Sequence, residues 1–146
     1  MIVLVNPRAT RPENRRFPLS VMAIGAALPP GISWEIVDGN RPGCNPLEDV
    51  AALIESRAGG RDPVRAVAMT VQPGRQLVNT VPLASRLKQR FPEIPIVWGG
   101  YFPSLYPKPA LNAPYVDWVV RGPGEHTFNE LLEVLDGRRD PKTVPG

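Results

Sequence analysis

The chain has 146 residues, of which 42% are hydrophobic and 21% charged, and its formal net charge at pH 7 is +3. This length suits one domain with a single hydrophobic core, and the composition excludes a disordered, collagen-like or coiled-coil protein. The charge is mild and its densest basic stretch is one loop rather than a stripe, which argues against a nucleic-acid-binding protein.

Short apolar runs rich in β-branched residues alternate along the chain with patterns typical of amphipathic helices. The predicted strands are Ile2–Val5, Trp34–Val37, Ala66–Val71, Ile96–Trp98 and Trp118–Val120. Apolar spacings of three and four predict helices over Leu19–Leu28, Leu47–Arg57, Gln76–Phe91 and Thr127–Leu135. Pro82 interrupts the third of these patterns and predicts a kink or a later start. The Pro-rich connection 103–114 has room for a short helix.

The predicted strands are almost continuously apolar, as expected for strands buried on both faces of a parallel sheet. Their alternation with helices predicts an α/β fold: a doubly wound, flavodoxin-like (Rossmann-like) five-stranded parallel sheet with helices on both faces. Ligands bind such sheets outside the carboxyl ends of the strands. The loops at those ends are therefore the candidate site.

The loop after the first strand, residues 6–18, contains no glycine. It therefore lacks both a dinucleotide fingerprint and a P-loop. The carboxylates that a phospho-acceptor receiver domain needs at the ends of strands one and three are also missing. Four arginines lie in this loop, between Arg8 and Arg16. They either face an anionic group of a ligand or another domain, or form a solvated surface.

Two further strand ends offer ligand-binding chemistry. The segment Thr70–Gln72 places a hydroxyl and an amide beside a helix start, where a phosphate or amide oxygen could be held, although Thr70 could equally cap that helix. Gly99 and Gly100 follow the fourth strand. Without Cβ atoms they let a flat ligand tail approach the backbone, or else supply a turn with positive φ.

The segment after the fifth strand, Val120–Thr127, resembles a shortened glycine fingerprint. Thr127 stands where the third glycine would be, so the segment does not predict NAD binding. Glu125 fits a helix start through the helix dipole alone. His126 is the single histidine and is expected at the surface, without a catalytic or metal-binding role.

The single cysteine, Cys44, excludes an internal disulfide and any multi-cysteine metal site within this chain. It is expected to be incidental, and its isolation suits a reducing compartment. The N-terminus lacks the basic segment of a secretory signal, and no stretch approaches the roughly 18–20 apolar residues of a membrane span. We therefore expect a cytoplasmic protein without membrane contact.

Five segments in combination carry a family resemblance. They are Val3–Pro7, Pro18–Leu19, Trp34–Asp38, the run LKQRFPEIPIVWGG at Leu87–Gly100 and the run YVDWVVRGPGEHTF at Tyr115–Phe128. Together they resemble the N-terminal cobalamin-binding domain of class B radical S-adenosylmethionine (radical SAM) proteins. This group contains the anaerobic magnesium-protoporphyrin cyclase and many methyltransferases.

The resemblance implies cobalamin lying across the carboxyl edge of the sheet, with its nucleotide tail reaching toward Gly99, Gly100 and Thr70–Gln72. The implied cofactor-binding residues are Asn6, Pro7, Arg8, Thr70, Val71, Gln72, Gly99, Gly100, Tyr101, Phe102, Arg121, Gly122, Gly124 and Glu125. Methyl-carrier cobalamin domains place an Asp-x-His-x-x-Gly motif after strand one. This chain has no histidine there, so no protein ligand to cobalt is expected.

The resemblance also implies a domain division: a cobalamin-binding-like domain at 1–137 and a linker at 138–146 toward a C-terminal radical SAM domain. That domain would hold the [4Fe–4S] cluster and S-adenosylmethionine, since Cys44 alone cannot supply a Cys-x-x-x-Cys-x-x-Cys motif. The implied intact protein performs methyl transfer or a radical rearrangement or cyclisation, and this part is not catalytic alone.

Two alternatives stay open at this point. The chain could keep the fold without binding cobalamin and serve as an interaction domain, with the Arg8–Arg16 loop, Tyr101 and Phe102 contacting a partner. It could also bind a flavin or a nucleotide at the same edge, although no phosphate-binding loop is present.

Overall fold

Five parallel strands form the centre of the fold. The computed structural model describes the backbone of residues 1–146 and every side chain apart from that of Pro12. The strands are β1 (Ile2–Asn6), β2 (Trp34–Asp38), β3 (Ala66–Thr70), β4 (Ile96–Gly99) and β5 (Trp118–Val119). Their order in the sheet is β2-β1-β3-β4-β5. Strand β2 lies on one side of β1, and β3, β4 and β5 follow on the other side. This switch point between β1 and β3 is the one found in flavodoxin-like folds, which confirms the predicted fold class.

Helices cover both faces of the sheet. They are α1 (Leu19–Ala27), α2 (Pro46–Arg57), α3 (Arg75–Arg90), α4 (Tyr101–Leu105), α5 (Pro107–Leu111) and α6 (Gly124–Leu135). The connection predicted to hold one short helix thus holds two, and α6 starts three residues before its predicted start at Thr127. None of the helices in the described part of the chain has the length and apolarity needed to cross a membrane.

The sheet separates two hydrophobic layers. In β1, Ile2 and Leu4 face the layer formed with α1 and α6, whereas Val3 and Val5 face the layer formed with α2 and α3. All five residues of β1 and all five of β3 are buried. Burying one Val or Leu side chain contributes about 1.5–3 kcal/mol, so these two strands anchor both layers.

Helix α3 continues unbroken through Pro82, so the later start predicted from that proline is wrong. The proline removes the backbone donor that would bond the carbonyl of Val78. Both residues are on the exposed side of the helix, and Val78 is 70% exposed. Solvent can therefore satisfy that carbonyl, while Leu83, Ala84 and Leu87 hold the helix on the sheet.

We predict that Pro82→Ala stabilises the fold. Alanine is about 3 kcal/mol more favourable than proline inside a helix, and the more flexible unfolded chain offsets about 0.4–1 kcal/mol of that gain. The free energy of unfolding in urea should therefore rise by about 2–2.6 kcal/mol.

Pro92→Ala is the matched control, because Pro92 lies in the exposed turn just after α3. It should leave stability unchanged or lower it slightly. A loss of stability in Pro82→Ala would show that Pro82 makes a packing contribution larger than its helical cost.

Candidate functional site

The carboxyl ends of the strands bring most of the predicted site residues to one edge. Asn6 at the end of β1 is in register with Asp38 at the end of β2. Thr70 at the end of β3 is in register with Gly99 at the end of β4. Residues that are 29 to 32 positions apart in the sequence therefore become neighbours on adjacent strands.

A cavity of about 200 Å³ opens at this edge between the sheet, α1 and α6. Its walls are mainly apolar and come from Leu4, Val21, Ile24, Ala68, Met69, Val97, Val120, Pro123 and Phe128. The remaining lining residues are small or polar: Ser20, Thr70, Gly99, Gly100, Gly122, Gly124 and Glu125. The shape and lining suit a small apolar ring with a polar attachment at the mouth.

Two glycines determine how closely the walls of the cavity approach each other. Gly100 has φ of 93°, and a Cβ there would lie 3.0 Å from Thr70 Oγ1 and 3.1 Å from the Val71 nitrogen. A Cβ on Gly124 would lie 2.9 Å from Ile24 Cδ1. Glycine at these positions lets the β4–α4 turn close against β3 and lets α6 approach α1.

Thr70 does not cap α3, one of the two roles considered for it. The N-cap residue of that helix is Gly74, without a side-chain cap. The Thr70 hydroxyl instead lies 3.3 Å from the Ser20 hydroxyl of α1, at the cavity lining. The two hydroxyls form a polar pair in an otherwise apolar wall.

A partly buried polar network, here called the polar clamp, fixes the chain after β1. It consists of Asn6, Asp38, Asn40 and Gln76. The Gln76 amide nitrogen donates to Asn6 Oδ1 at 2.9 Å and to the Pro7 carbonyl at 3.0 Å. Asn6 Nδ2 and the Asn40 backbone N–H both donate to Asp38 Oδ1, at 2.9 and 3.0 Å.

The clamp also orders the start of the arginine-rich loop. Asn40 Oδ1 accepts from the backbone N–H groups of Ala9 and Thr10, at 2.9 and 3.0 Å. Arg8 Nε donates to the Gly39 carbonyl at 3.1 Å. The beginning of this loop is therefore held in place by hydrogen bonds to the β2–α2 turn.

An open cleft of about 760 Å³ adjoins the cavity on the side of this loop. Arg15, Arg16, Gln72 and Gln76 line it, and Ser20 lines both the cleft and the cavity. The cavity and the cleft are thus neighbouring parts of one edge, the first mostly apolar and the second polar.

The fourteen residues predicted from the sequence fall into three groups. Those lining the cavity are Thr70, Gly99, Gly100, Gly122, Gly124 and Glu125. Asn6, Pro7, Arg8 and Gln72 lie at or beside the polar clamp. Val71, Tyr101, Phe102 and Arg121 line neither the cavity nor the cleft. Among these, Val71 is fully buried and Phe102 packs on Tyr106, with ring centroids 5.6 Å apart.

Sequence reasoning missed the cavity walls supplied by the helices, above all Ser20, Ile24 and Phe128. It also missed Asp38, Asn40 and Gln76 of the polar clamp. The apolar residues of α1 and α6 have the same spacing as ordinary core residues. Asn40 gave the one available signal, since an asparagine right after a strand and a glycine often bonds nearby backbone.

The remaining chemistry-bearing residues lie away from the cavity. His126 is exposed on α6. Cys44 is buried and lines a groove between α2 and α3, on the other face of the sheet. Burial and a hydrogen bond with Asp49 raise the pKa of the Cys44 thiol to about 12. Among the described residues, no three His, Cys, Asp or Glu side chains cluster so that they could hold a metal ion.

The model of the B12-binding domain family matches residues 8–132 of the chain. The chain belongs to the B12-binding domain family. The cavity and the polar clamp thus lie on a fold whose family is defined by corrinoid binding.

Several proteins that are similar to this chain are larger enzymes. Over 61 residues the chain is 38% identical to the anaerobic magnesium-protoporphyrin IX monomethyl ester cyclase of Synechocystis sp., covering 41% of this chain and 12% of that protein. The radical S-adenosylmethionine methyltransferase TsrM from Kitasatospora setae, solved with tryptophan and a SAM analog, is 25% identical. It superposes with a TM-score of 0.75 over 99% of this chain and 27% of TsrM.

The cobalamin-dependent S-adenosylmethionine radical enzyme OxsB, solved with aqua-cobalamin bound, shares the fold with a TM-score of 0.76 at 19% identity. The match covers 99% of this chain and 20% of OxsB. The chain therefore spans less than a quarter of the length of the cyclase and of OxsB, and slightly more than a quarter of the length of TsrM. The predicted resemblance to the cobalamin-binding part of radical SAM enzymes is confirmed.

We predict that Gln76→Leu destabilises the domain by about 2–4 kcal/mol, because the buried oxygens of Asn6 and Pro7 and the Gln72 N–H lose their partner. Urea unfolding measures the change. Gln89→Leu, the same substitution at an exposed position of α3, should change stability by less than about 0.5 kcal/mol. Equal effects of the two variants would mean that the polar clamp contributes nothing specific.

We also predict that Cys44 resists alkylation while the chain is folded. At pH 8.5 a thiol with a pKa of about 12 is almost entirely protonated, whereas an unfolded cysteine, with a pKa near 8.5, is about half thiolate. Iodoacetamide should therefore label the native chain at least about a hundredfold more slowly than the chain in urea. Similar rates, followed by mass spectrometry, would show that the thiol is not protected.

Proposed function

We propose that this chain binds cobalamin at the carboxyl edge of its sheet, with the nucleotide tail in the cavity between α1 and α6. One observation carries the proposal: a mainly apolar cavity opens at the strand ends of a chain that belongs to the B12-binding domain family. This cavity is more apolar than the cleft that adjoins it on the side of the polar clamp.

The residues present suit the chemical parts of cobalamin. The benzimidazole base of its tail is a flat apolar bicycle, which matches walls formed by residues such as Ile24, Val97 and Phe128. The ribose and phosphate that follow the base need hydrogen-bond donors, and the hydroxyls of Ser20 and Thr70 lie in the same lining. The glycines leave room for a ligand along the backbone.

Each predicted contact residue has a proposed role consistent with its position. Thr70, Gly99, Gly100, Gly122, Gly124 and Glu125 contact the tail, since they line the cavity. Asn6, Pro7, Arg8 and Gln72 lie beside the corrin ring. Val71 supports Gly99 and Phe102 through backbone bonds of 2.8 and 3.0 Å. Tyr101 and Arg121, which are exposed next to the edge, contact the cofactor's outer amides or the adjoining domain.

We further propose that no side chain of this chain ligates cobalt. The loop after β1 contains no histidine, and His126, the single histidine of the sequence, lines neither the cavity nor the cleft. Bound cobalamin supplies a cobalt atom that can carry a methyl group or take part in electron transfer. The chain's own residues bind the tail, orient the ring and exclude water from one side of it.

In the intact protein this domain would present cobalamin to a C-terminal radical SAM domain that holds a [4Fe–4S] cluster and S-adenosylmethionine. The relatives support this arrangement, since they include a radical SAM methyltransferase and a cobalamin-dependent radical enzyme. The reaction would be methyl transfer or a radical rearrangement or cyclisation in the cytoplasm. The domain proper would end at residue 137.

The proposed linker, residues 138–146, lies against the domain. Arg139 Nη1 is 2.9 Å from Glu130 Oε1 of α6, and Thr127 Oγ1 donates to the Pro145 carbonyl at 3.1 Å. Val144 lines a small cavity with Trp118 of β5. The linker would thus leave the domain along its β5 edge.

The binding proposal predicts that the purified chain retains cobalamin. After incubation with hydroxocobalamin and gel filtration, the visible spectrum should show bound cofactor in the base-off form, because the tail base is in the cavity and no histidine replaces it. His126→Ala should leave that spectrum unchanged. A histidine-ligated spectrum would refute the absence of a protein ligand.

The absence of retained cobalamin would favour the alternative of a fold-retaining interaction domain. Repeating the measurement on the full-length protein decides between that alternative and a site completed by the second domain. A bound yellow chromophore would instead favour a flavin.

A cavity-filling variant tests where the tail binds. Ala68 lies on β3 in the cavity lining, so Ala68→Leu should fill the cavity and lower cobalamin retention at least tenfold. Because the variant fills empty space, its melting temperature should stay the same or rise.

Ala23→Leu, on the exposed face of α1, is the matched control and should bind normally. Normal cobalamin binding by a folded Ala68→Leu variant would place the tail elsewhere.

A further inference from the structure

The loops at the carboxyl ends of the strands have a larger net positive charge than the chain as a whole. These loops (residues 7–18, 39–45, 71–74, 100 and 120–123) contain one carboxylate, Glu13. Their arginines are Arg8, Arg11, Arg15, Arg16, Arg41 and Arg121. The loops at the opposite edge contain Arg61, Arg65, Asp62, Glu93 and Asp117. Positive charge is therefore concentrated on the side of the cavity.

The arginines at the carboxyl edge have no carboxylate partners among the described residues. The arginines that do form ion pairs are Arg57, Arg65, Arg90, Arg138 and Arg139. These lie in helices or in the loops at the opposite edge and after α6. Arg15 and Arg16 are exposed and bind no described carboxylate, so their guanidinium groups can pair with an anion from outside the chain.

Cobalamin does not account for this charge. Its organic part carries a single phosphodiester, located in the nucleotide tail, and the amide side chains of its corrin ring are neutral. The tail is assigned to the apolar cavity and the neutral ring to Asn6 and Gln72, which line the open cleft together with Glu13, Arg15 and Arg16. The arginines thus exceed what one phosphate at the cavity would require.

The form of the cleft favours a small anion over a macromolecule. At about 760 Å³ it has the size of a small-molecule site, and it is concave rather than a stripe across a face. Asn40 fixes the base of the arginine loop through the Ala9 and Thr10 N–H groups. Through Ser20 the cleft adjoins the cavity, so a ligand held there would lie next to the cofactor.

We propose that this cleft binds the carboxylate or phosphate groups of a low-molecular-weight anionic substrate of the intact protein. Arg15 and Arg16 are its specificity-determining contacts, because a guanidinium group pairs with such anions through two parallel hydrogen bonds. The inference rests on the proposed function, since it places the substrate beside bound cobalamin. It adds the substrate class, which that function leaves open.

The test uses citrate and inorganic pyrophosphate as probes, titrated into the chain by calorimetry at a fixed ionic strength of about 0.1 M, where charges beyond about 10 Å are screened. The double variant R15Q/R16Q should raise the dissociation constants at least tenfold. The matched control R61Q/K108Q also removes two positive charges, from exposed positions outside the cleft, and should change them less than twofold. Melting temperatures confirm that both variants are folded.

Equal weakening in both variants, or no binding of either probe, would overturn the inference. Tighter binding of a short DNA duplex than of citrate, lost in R15Q/R16Q, would also overturn it in favour of a nucleic acid.

Cobalamin retention by the same variants separates this inference from the proposed function. Normal retention by R15Q/R16Q with loss of citrate binding supports both. Loss of both ligands in R15Q/R16Q would assign the arginines to the cofactor and overturn the substrate inference. Citrate binding by a parent chain, with no cobalamin retained by that chain or by the full-length protein, would overturn the proposed function, and with it the placement of a substrate beside the cofactor.

Discussion

Burial of β1 and β3 on both faces is the constraint on which the rest of the structure depends. Every residue of these strands is covered by a helical layer, so their side chains are almost entirely apolar. Polar groups can be accommodated only where the strands end. Asn6 and Thr70 are the last residues of β1 and β3 and the first polar ones in them. The site therefore lies at the edge of the sheet because the interior of the sheet has no room for polar chemistry.

At that edge the two helical layers make different contributions. On the side of α1 and α6, glycines at positions 100 and 124 bring backbone and helices close together, yet an apolar cavity stays open between them. On the side of α3, Gln76 extends from the helix and bonds the chain after β1. One layer thus provides an apolar space for a ligand, and the other provides the hydrogen bonds that fix the loop beside it. A flat ligand with a polar rim needs both.

The sequence was sufficient for the sheet because each strand is a separate apolar run between turn residues. The predicted strands differ from the observed ones by a residue or two at their ends, as with Val71 and Val120, which lie just beyond β3 and β5. The polar clamp could not be predicted, since Gln76 and Asn6 are 70 residues apart in the sequence. The residues around each of them give no indication that the two side chains are in contact. Ile24 and Phe128 were hidden for a related reason, because a helix residue that lines a cavity has the same spacing as one that fills a core.

The effect of Pro82 could not be predicted from the sequence either. Its effect on a helix depends on whether the carbonyl that it leaves unpaired faces the core or the solvent, and a sequence pattern alone assigns that face only approximately.

The separation of charge between the two edges of the sheet follows from the sequence and the topology together. The arginines are visible in the sequence, but only the topology shows that Arg41 and Arg121 share an edge with the loop of Arg15 and Arg16. Several unlike charges elsewhere on the chain are paired, for example Lys88 with Asp117, whereas none of the six arginines at this edge has a carboxylate partner among the described residues. They mark the edge as the place where the chain meets negative charge from outside.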